Sequence, residues 1–143
     1  MSGGSAIIAR CMVPGVARGT VSRLSRPLSL WGGLDLESGR VCDVNHPEHG
    51  QKIAGHVLAM PGGRGSSSSS SVLLESARLG VHPLAIVLAE RDPILAVGAL
   101  VAEDLYGVCI PIVCIQPQDF GELPRTGELR VVARPGNSSV EPF

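Results

Sequence analysis

Met60-Pro61-Gly62-Gly63-Arg64-Gly65, then six serines from Ser66 to Ser71, then Val72-Leu73-Leu74-Glu75, is the stretch on which the reading of this chain turns. Before it, Gly55-His56-Val57-Leu58-Ala59 has the composition of a short buried strand. After it, Val72, Leu73, Ser76, Ala77 and Leu79 recur at helical spacing, and Gly80 stands where a C-cap glycine belongs. The segment is therefore read as strand, glycine-rich turn and serine-loaded helix N-terminus. Backbone N–H groups, hydroxyls and the positive end of a helix dipole would converge there, a favourable setting for an anion. A Ser/Gly linker is the competing reading. Only about 60 residues flank the tract on either side, near the lower limit for independent cores, and it runs directly into an amphipathic helix. A functional loop fits that context better. Ser71 lies four residues before Glu75, so the usual S-x-x-E box is absent, and which serine caps the helix stays open.

Working outward, the segments fall into strands and helices. Ala6 to Met12 is a short apolar segment closed by Val13-Pro14-Gly15, and Ala17 to Leu24 reads as a strand, followed by the irregular stretch Arg26-Pro27-Leu28-Ser29-Leu30-Trp31-Gly32-Gly33-Leu34-Asp35. Trp31 there either pins a loop to the core or faces a ligand across flexible glycines. Val41 to Val44 reads as a strand and Leu84 to Leu88 as a fully buried one. Asp92-Pro93 has the form of N-cap and N1 of a helix running to Leu105. Gly98 inside that helix implies close packing. Val108 to Ile115 is a strand that Pro111 places at an edge or a bulge. Gln116 to Arg125 reads as loop and Glu128 to Ala133 as the last strand. Residues 1–133 form one domain, and 134–143, rich in Pro, Gly and Ser, a mobile C-terminal tail. The expected fold is a mixed β/α domain with a curved or barrel-like sheet and about two helices. Strands ahead of the first helix are expected to be antiparallel, and the strand–helix–strand–helix–strand run from Val57 to Ile115 supplies a parallel component.

Composition narrows the function. The 143 residues are 44% hydrophobic but only 3% aromatic, so Val, Leu, Ile and Ala must build the core. Formal charge is −1 without a basic cluster, which gives no footing for nucleic-acid binding. Of the 12 basic Lys and Arg residues only Lys52 is lysine. Cys11, Cys42, Cys109 and Cys114 show no C-x-x-C spacing and are expected to be free buried thiols in a cytoplasmic protein. No signal peptide is evident, and the apolar run Pro93 to Ala102 is too short to span a bilayer. Cys42, His46, His49 and His56 are plausible metal-ligand types, but C-x3-H-x2-H matches no common zinc pattern. No catalytic triad, P-loop, dinucleotide fingerprint or nucleophile elbow is present. What remains is the serine loop. A hydroxyl could remove a proton beside a carboxylate if helix dipole, backbone donors and a guanidinium such as Arg64 stabilised its alkoxide. A Lewis acid for the departing group is missing, so the residues alone specify half an active site.

Three motifs carry a resemblance: Pro27-Leu28-Ser29-Leu30-Trp31-Gly32-Gly33-Leu34-Asp35, Asp43-Val44-Asn45-His46-Pro47, and Met60 to Gly65 with its serines and Val72-Leu73-Leu74-Glu75. With Ile94 to Leu105 they resemble the small subunit, or swivel domain, of the aconitase X hydro-lyases, over about Ala6 to Val132. That family includes phosphomevalonate dehydratase and cis-3-hydroxy-L-proline dehydratase. The resemblance implies a swivelling β/β/α domain that closes over a large catalytic subunit, which carries an iron–sulfur cluster on its own cysteines. It implies Ser66 as the proton acceptor and Arg64, Gly65, Ser67, Ser29 and Trp31 as substrate-binding residues, with no metal held by this chain. The wider aconitase superfamily places serine before arginine in this loop, whereas here Arg64 precedes Ser66. The expected partners are the large subunit and a small carboxylate substrate, cis-3-hydroxy-L-proline ahead of mevalonate 5-phosphate. Nucleic acid and membrane are not expected. Two other readings compete: a non-catalytic anion-binding module and a structural lid.

Overall fold

The structure is a computed structural model that describes residues 5–63 and 67–143. Its elements run β1 (Ile7–Val13), β2 (Gly15–Arg23), β3 (Val57–Met60), α1 (Ser68–Leu79), β4 (Ala85–Leu88), α2 (Pro93–Tyr106), β5 (Ile112–Cys114), α3 (Pro117–Phe120), β6 (Glu128–Ala133) and β7 (Ser138–Pro142). The strands close into a barrel in the order β1-β5-β4-β3-β2-β6-β7. One arc is parallel, from β2 through β3 and β4 to β5. The other is antiparallel, with β2 on β6, β6 on β7, and β1 bridging β7 to β5.

The parallel arc explains why its strands look uniformly apolar. All four residues of β3 and all four of β4 are buried. Leu58, Met60, Ile86 and Leu88 point outward into a core shared with Leu73 of α1 and Leu95 and Ala99 of α2. Val57, Ala59, Ala85 and Val87 point inward and fill the barrel with Val113, Leu129, Val131 and Val140. The alternation assigns bulky side chains to the helix layer and smaller ones to the lumen, as double-sided burial requires. α1 and α2 form one layer. Gly98 of α2 lies against the backbone of Ser70 in α1, where an added Cβ would come within 2.8 Å of the Ser70 carbonyl oxygen.

The expected mixed, barrel-like fold is the observed one, with three helices where two were read. Several boundaries differ for identifiable reasons. β2 pairs parallel with β3, and β1 pairs with neither, so the strands ahead of α1 do not form an antiparallel unit. Val41 to Val44 makes one isolated bridge, Val41 with Leu34, and the preceding Arg40 makes another with Lys52. Pro117 opens the short α3 inside the expected loop. Pro111 precedes β5 and leaves it free to pair on both sides, while the register irregularity falls on β1 between Cys11 and Val13. Half of the segment expected as a tail, 134–143, is the strand β7. Ser138 Oγ donates to the Arg134 carbonyl and accepts from the Arg134 N–H, which closes a tight turn. Val140 is then buried in the lumen, completing the barrel.

Candidate functional site

The carboxyl ends of the parallel strands lead into the loops that carry the sequence motifs, the position at which open α/β sheets also place ligands. β3 runs into Pro61-Gly62-Gly63, and Gly63 pairs with Leu28 in an isolated parallel bridge. Leu28 and Leu30 are fully buried, so this bridge pins the 27–35 loop beside the start of α1. Ser29 Oγ, which donates to the Trp31 carbonyl, lies 3.5 Å from Ser69 Oγ. Motifs separated by more than thirty residues in sequence thus meet at one helix end.

That end is chemically unusual. Ser67 is the N-cap of α1, but its side chain makes no capping bond, and the first turn contains no acidic residue. The Ser67 carbonyl accepts from the Ser70 N–H and hydroxyl. α1 therefore presents its positive end without a carboxylate of its own in that turn to offset it. α2 begins nearby in the opposite fashion. Asp92 Oδ1 accepts from the Ile94 and Leu95 N–H groups, with Pro93 at N1 as expected. Its other oxygen packs against Gly63, where a Cβ would collide with it.

Beside this junction a cleft of about 340 Å³ is lined by Arg26, Pro27, Ser29, Asp43, Asn45, His46 and Pro47. One wall is the 26–29 segment and the other the 43–47 turn, in which Asp43 Oδ1 accepts from the Asn45 N–H. Arg26 is exposed and can offer its guanidinium to a carboxylate, joined by Ser29 and Asn45 as neutral hydrogen-bonding groups. Trp31 is 62% exposed and Val44 77%. The pinning of the loop is therefore the work of Leu28 and Leu30, and the indole is left facing outward.

Of the residues assigned from sequence, Ser29 lines the cleft and lies near Ser69, Ser67 caps α1, and Trp31 projects from the same loop. Arg64, Gly65 and Ser66 lie outside the described residues, between the bridged Gly63 and Ser67. Arg26, Asp43 and Asn45 were not singled out as site residues. Their signal was the Asp43 to Pro47 motif, which identifies the turn without revealing that it faces Ser29.

The four thiols are free, but Cys42 and Cys109 are exposed and Cys11 and Cys114 only partly covered, so they are not buried as expected. Burial raises the Cys42 thiol, and Asp35 raises it further. Burial also raises Cys114, although Arg10 and Arg91 oppose it. Both effects favour the neutral thiol over a nucleophilic thiolate. Cys42 Sγ instead faces the Gly32 carbonyl. Among the described residues no group of three or more His, Cys, Asp or Glu side chains could hold a metal ion. The described cysteines do not fit a set of cluster ligands.

A closed mixed barrel with a helix layer over its parallel arc, and polar side chains gathered at the strand ends, defines a class that comparison with known proteins makes specific. The chain belongs to the aconitase X swivel domain family, whose pattern matches residues 6–140. It is 48% identical over 117 residues to cis-3-hydroxy-L-proline dehydratase of Pseudomonas aeruginosa, covering 82% of this chain and 20% of that protein. It is 41% identical over 108 residues to the phosphomevalonate dehydratase small subunit of Methanothermobacter thermautotrophicus, covering 69% of this chain and 82% of that subunit. The crystal structure of Thermococcus kodakaraensis aconitase X in its holo-form superposes with a TM-score of 0.85 at 33% identity, over 98% of this chain and 99% of that one. The chain spans about a fifth of the length of the cis-3-hydroxy-L-proline dehydratases it matches. Among the described residues, no helix is long and apolar enough to cross a membrane.

Proposed function

We propose that this chain is the small, swivelling part of an aconitase X-type hydro-lyase, active only with a large catalytic subunit and acting on cis-3-hydroxy-L-proline. One observation carries the reading: the Leu28–Gly63 bridge and the Ser29–Ser69 contact bring the 27–35 motif to the N-terminus of α1. A substrate carboxylate lodged there meets a helix dipole, hydroxyls and the Arg26 side chain of the adjoining cleft. Ser66 is the proton acceptor in this reading, taking the proton alpha to that carboxylate. Its alkoxide character is favoured by the same positive helix end. Arg64, Gly65 and Ser67 contact substrate from the serine loop, and Ser29 and Trp31 from the facing loop.

Loss of a hydroxyl calls for a Lewis acid, and this chain's described residues offer no ligand set for one. The iron–sulfur cluster is assigned to the large subunit, leaving this chain the work of anion binding and proton removal. The substrate assignment follows the 48% identity to the Pseudomonas enzyme. Mevalonate 5-phosphate is the second reading, favoured by the 41% identity to the Methanothermobacter subunit. The cytoplasm is the compartment proposed.

The test is co-purification of this chain with its large subunit and assay of both compounds. Dehydration of cis-3-hydroxy-L-proline is expected, with neither chain active alone. Turnover of mevalonate 5-phosphate instead would transfer the substrate assignment. A stable monomer that binds small carboxylates but supports no turnover in the complex would replace the catalytic reading by an anion-binding one. Removal of iron by a chelator should abolish turnover while the circular dichroism of this chain, isolated from the treated complex, stays unchanged.

A further inference from the structure

The two walls of the cleft are tied together by one buried ring. His46 is 8% exposed, and its contacts fix where its proton resides. Nδ1 accepts the Glu48 backbone N–H at 3.1 Å. Nε2 lies 3.1 Å from the carbonyl oxygen of Arg26 on the opposite wall. An amide N–H can only donate and a carbonyl oxygen can only accept, so Nδ1 must be bare and Nε2 must carry the hydrogen. Glu48 adds a second tie between the same walls. Its carboxylate accepts from the Ser25 N–H at 2.9 Å and from the Ser25 hydroxyl. One of its oxygens stands 3.5 Å from His46 Nδ1 without a hydrogen bond to it, so the ring's tie to this segment is the Glu48 N–H.

We propose that His46, with Nε2 on the Arg26 carbonyl and Nδ1 on the Glu48 amide, is a positioning residue that anchors the Arg26 backbone across from Asn45 and thereby sets the affinity of the cleft for the substrate carboxylate. The claim about affinity rests on the reading of this cleft as substrate-facing; the claim about geometry does not. His46 itself makes no contact with the reacting atoms. Its loss loosens the wall that carries the guanidinium and leaves the proton acceptor of the serine loop untouched. The effect belongs in KM and not in kcat.

Three variants separate the ring's two bonds. His46→Ala removes both, His46→Asn keeps an acceptor for the Glu48 N–H, and His46→Gln keeps a donor that reaches the Arg26 carbonyl. In the assembled enzyme, Ala and Asn are expected to raise KM about tenfold, the scale of one lost hydrogen bond, with kcat within about twofold of wild type. Gln should recover most of the loss. An unchanged KM in a folded Ala variant, a fall in kcat at constant KM, or a Gln variant no better than Asn would overturn the proposal. Long-range proton–nitrogen NMR of the wild-type chain should show the Nε2–H tautomer at neutral pH. An Nδ1–H tautomer would contradict it. If neither hydroxyproline nor mevalonate 5-phosphate is turned over, the functional reading fails separately. The amide signals of Arg26 and Asn45 then decide the geometry: displaced in Ala and Asn and restored in Gln, or else the tie does not exist.

Discussion

The two long helices of this domain end alike and begin differently. Both α1 and α2 close on a left-handed glycine, Gly80 and Gly107, whose N–H groups return to the last turn. At the other end, α2 is sealed by Asp92 and Pro93, while α1 opens on Ser67 without a capping side chain or an acidic residue in the first turn. The helices share one layer and pack along Gly98, so their surroundings do not account for the contrast. An aspartate at the N-cap of α1 would be the stabilising choice. Its absence leaves the α1 dipole without an acidic residue in its own first turn where the Ser29 and Gly63 loops converge, with Asp92 of α2 as the carboxylate beside Gly63. α2 begins as a structural helix begins, and α1 in the way that the proposed anion-receiving role requires.

The largest stability effect should come from separating the two helices. Gly98→Ala places a methyl against the Ser70 backbone, which a flexible side chain could yield to but a helix cannot. A net loss of about 1–3 kcal/mol is expected despite the roughly 1 kcal/mol gain in helix propensity. Denaturant unfolding would measure it, and a stabilised variant would show that the helix contact is looser than the structure implies. Asp92→Ala comes next. It removes the acceptor for two N–H groups and should lower stability by about 1 kcal/mol. Ser67→Asp reverses the contrast most directly. It should raise stability by about 0.5 kcal/mol through the helix dipole while weakening carboxylate binding in the complex. Stabilisation without loss of affinity would break the comparison.

The smallest effect is a pH dependence remote from both N-termini. His56 is held below the usual imidazole range by burial and then by Lys52 and Arg40. Asp35 is held low by the Ser38 hydroxyl and by the backbone N–H groups of Glu37 and Ser38. For His56, the unfolded chain takes up protons below about pH 6.5. For Asp35, it does so below about pH 4. In both cases the unfolded state binds more protons than the folded one, so stability falls with acid and does not rise. The melting temperature should decline gently below about pH 6.5 and more steeply toward pH 4. His56→Leu should flatten the upper part of that decline; an unaltered profile would remove His56 from the account.

The legible parts of the sequence were those where a local rule and the tertiary structure agree. Asp92-Pro93, Gly80 and the Gly98 contact were readable because caps and close approaches are set by a few neighbouring residues. β3 and β4 were readable because burial on both faces gives an unbroken apolar run. β7 was not, since Ser138-Ser139-Val140-Glu141-Pro142 looks polar and gains its buried face only when β1 and β6 flank it. The exposed position of Trp31 was undecidable locally, because the adjacent Leu28 and Leu30 take the core positions. The cleft was illegible for a similar reason. Arg26 and Asn45 become neighbours through the His46 and Glu48 contacts, which span 20 and 23 positions in the chain. The motif residues were visible separately, but the sequence did not reveal that they face one another.

The serine loop ahead of α1 is proposed to perform chemistry, and Ser66→Ala in the assembled complex is the decisive variant. Turnover of cis-3-hydroxy-L-proline is expected to fall by about 10²–10⁴-fold, the range for loss of a general base, with the complex still assembled and its stability unchanged. Undiminished turnover in that variant would contradict the claim and leave this chain as a lid over another subunit's active site.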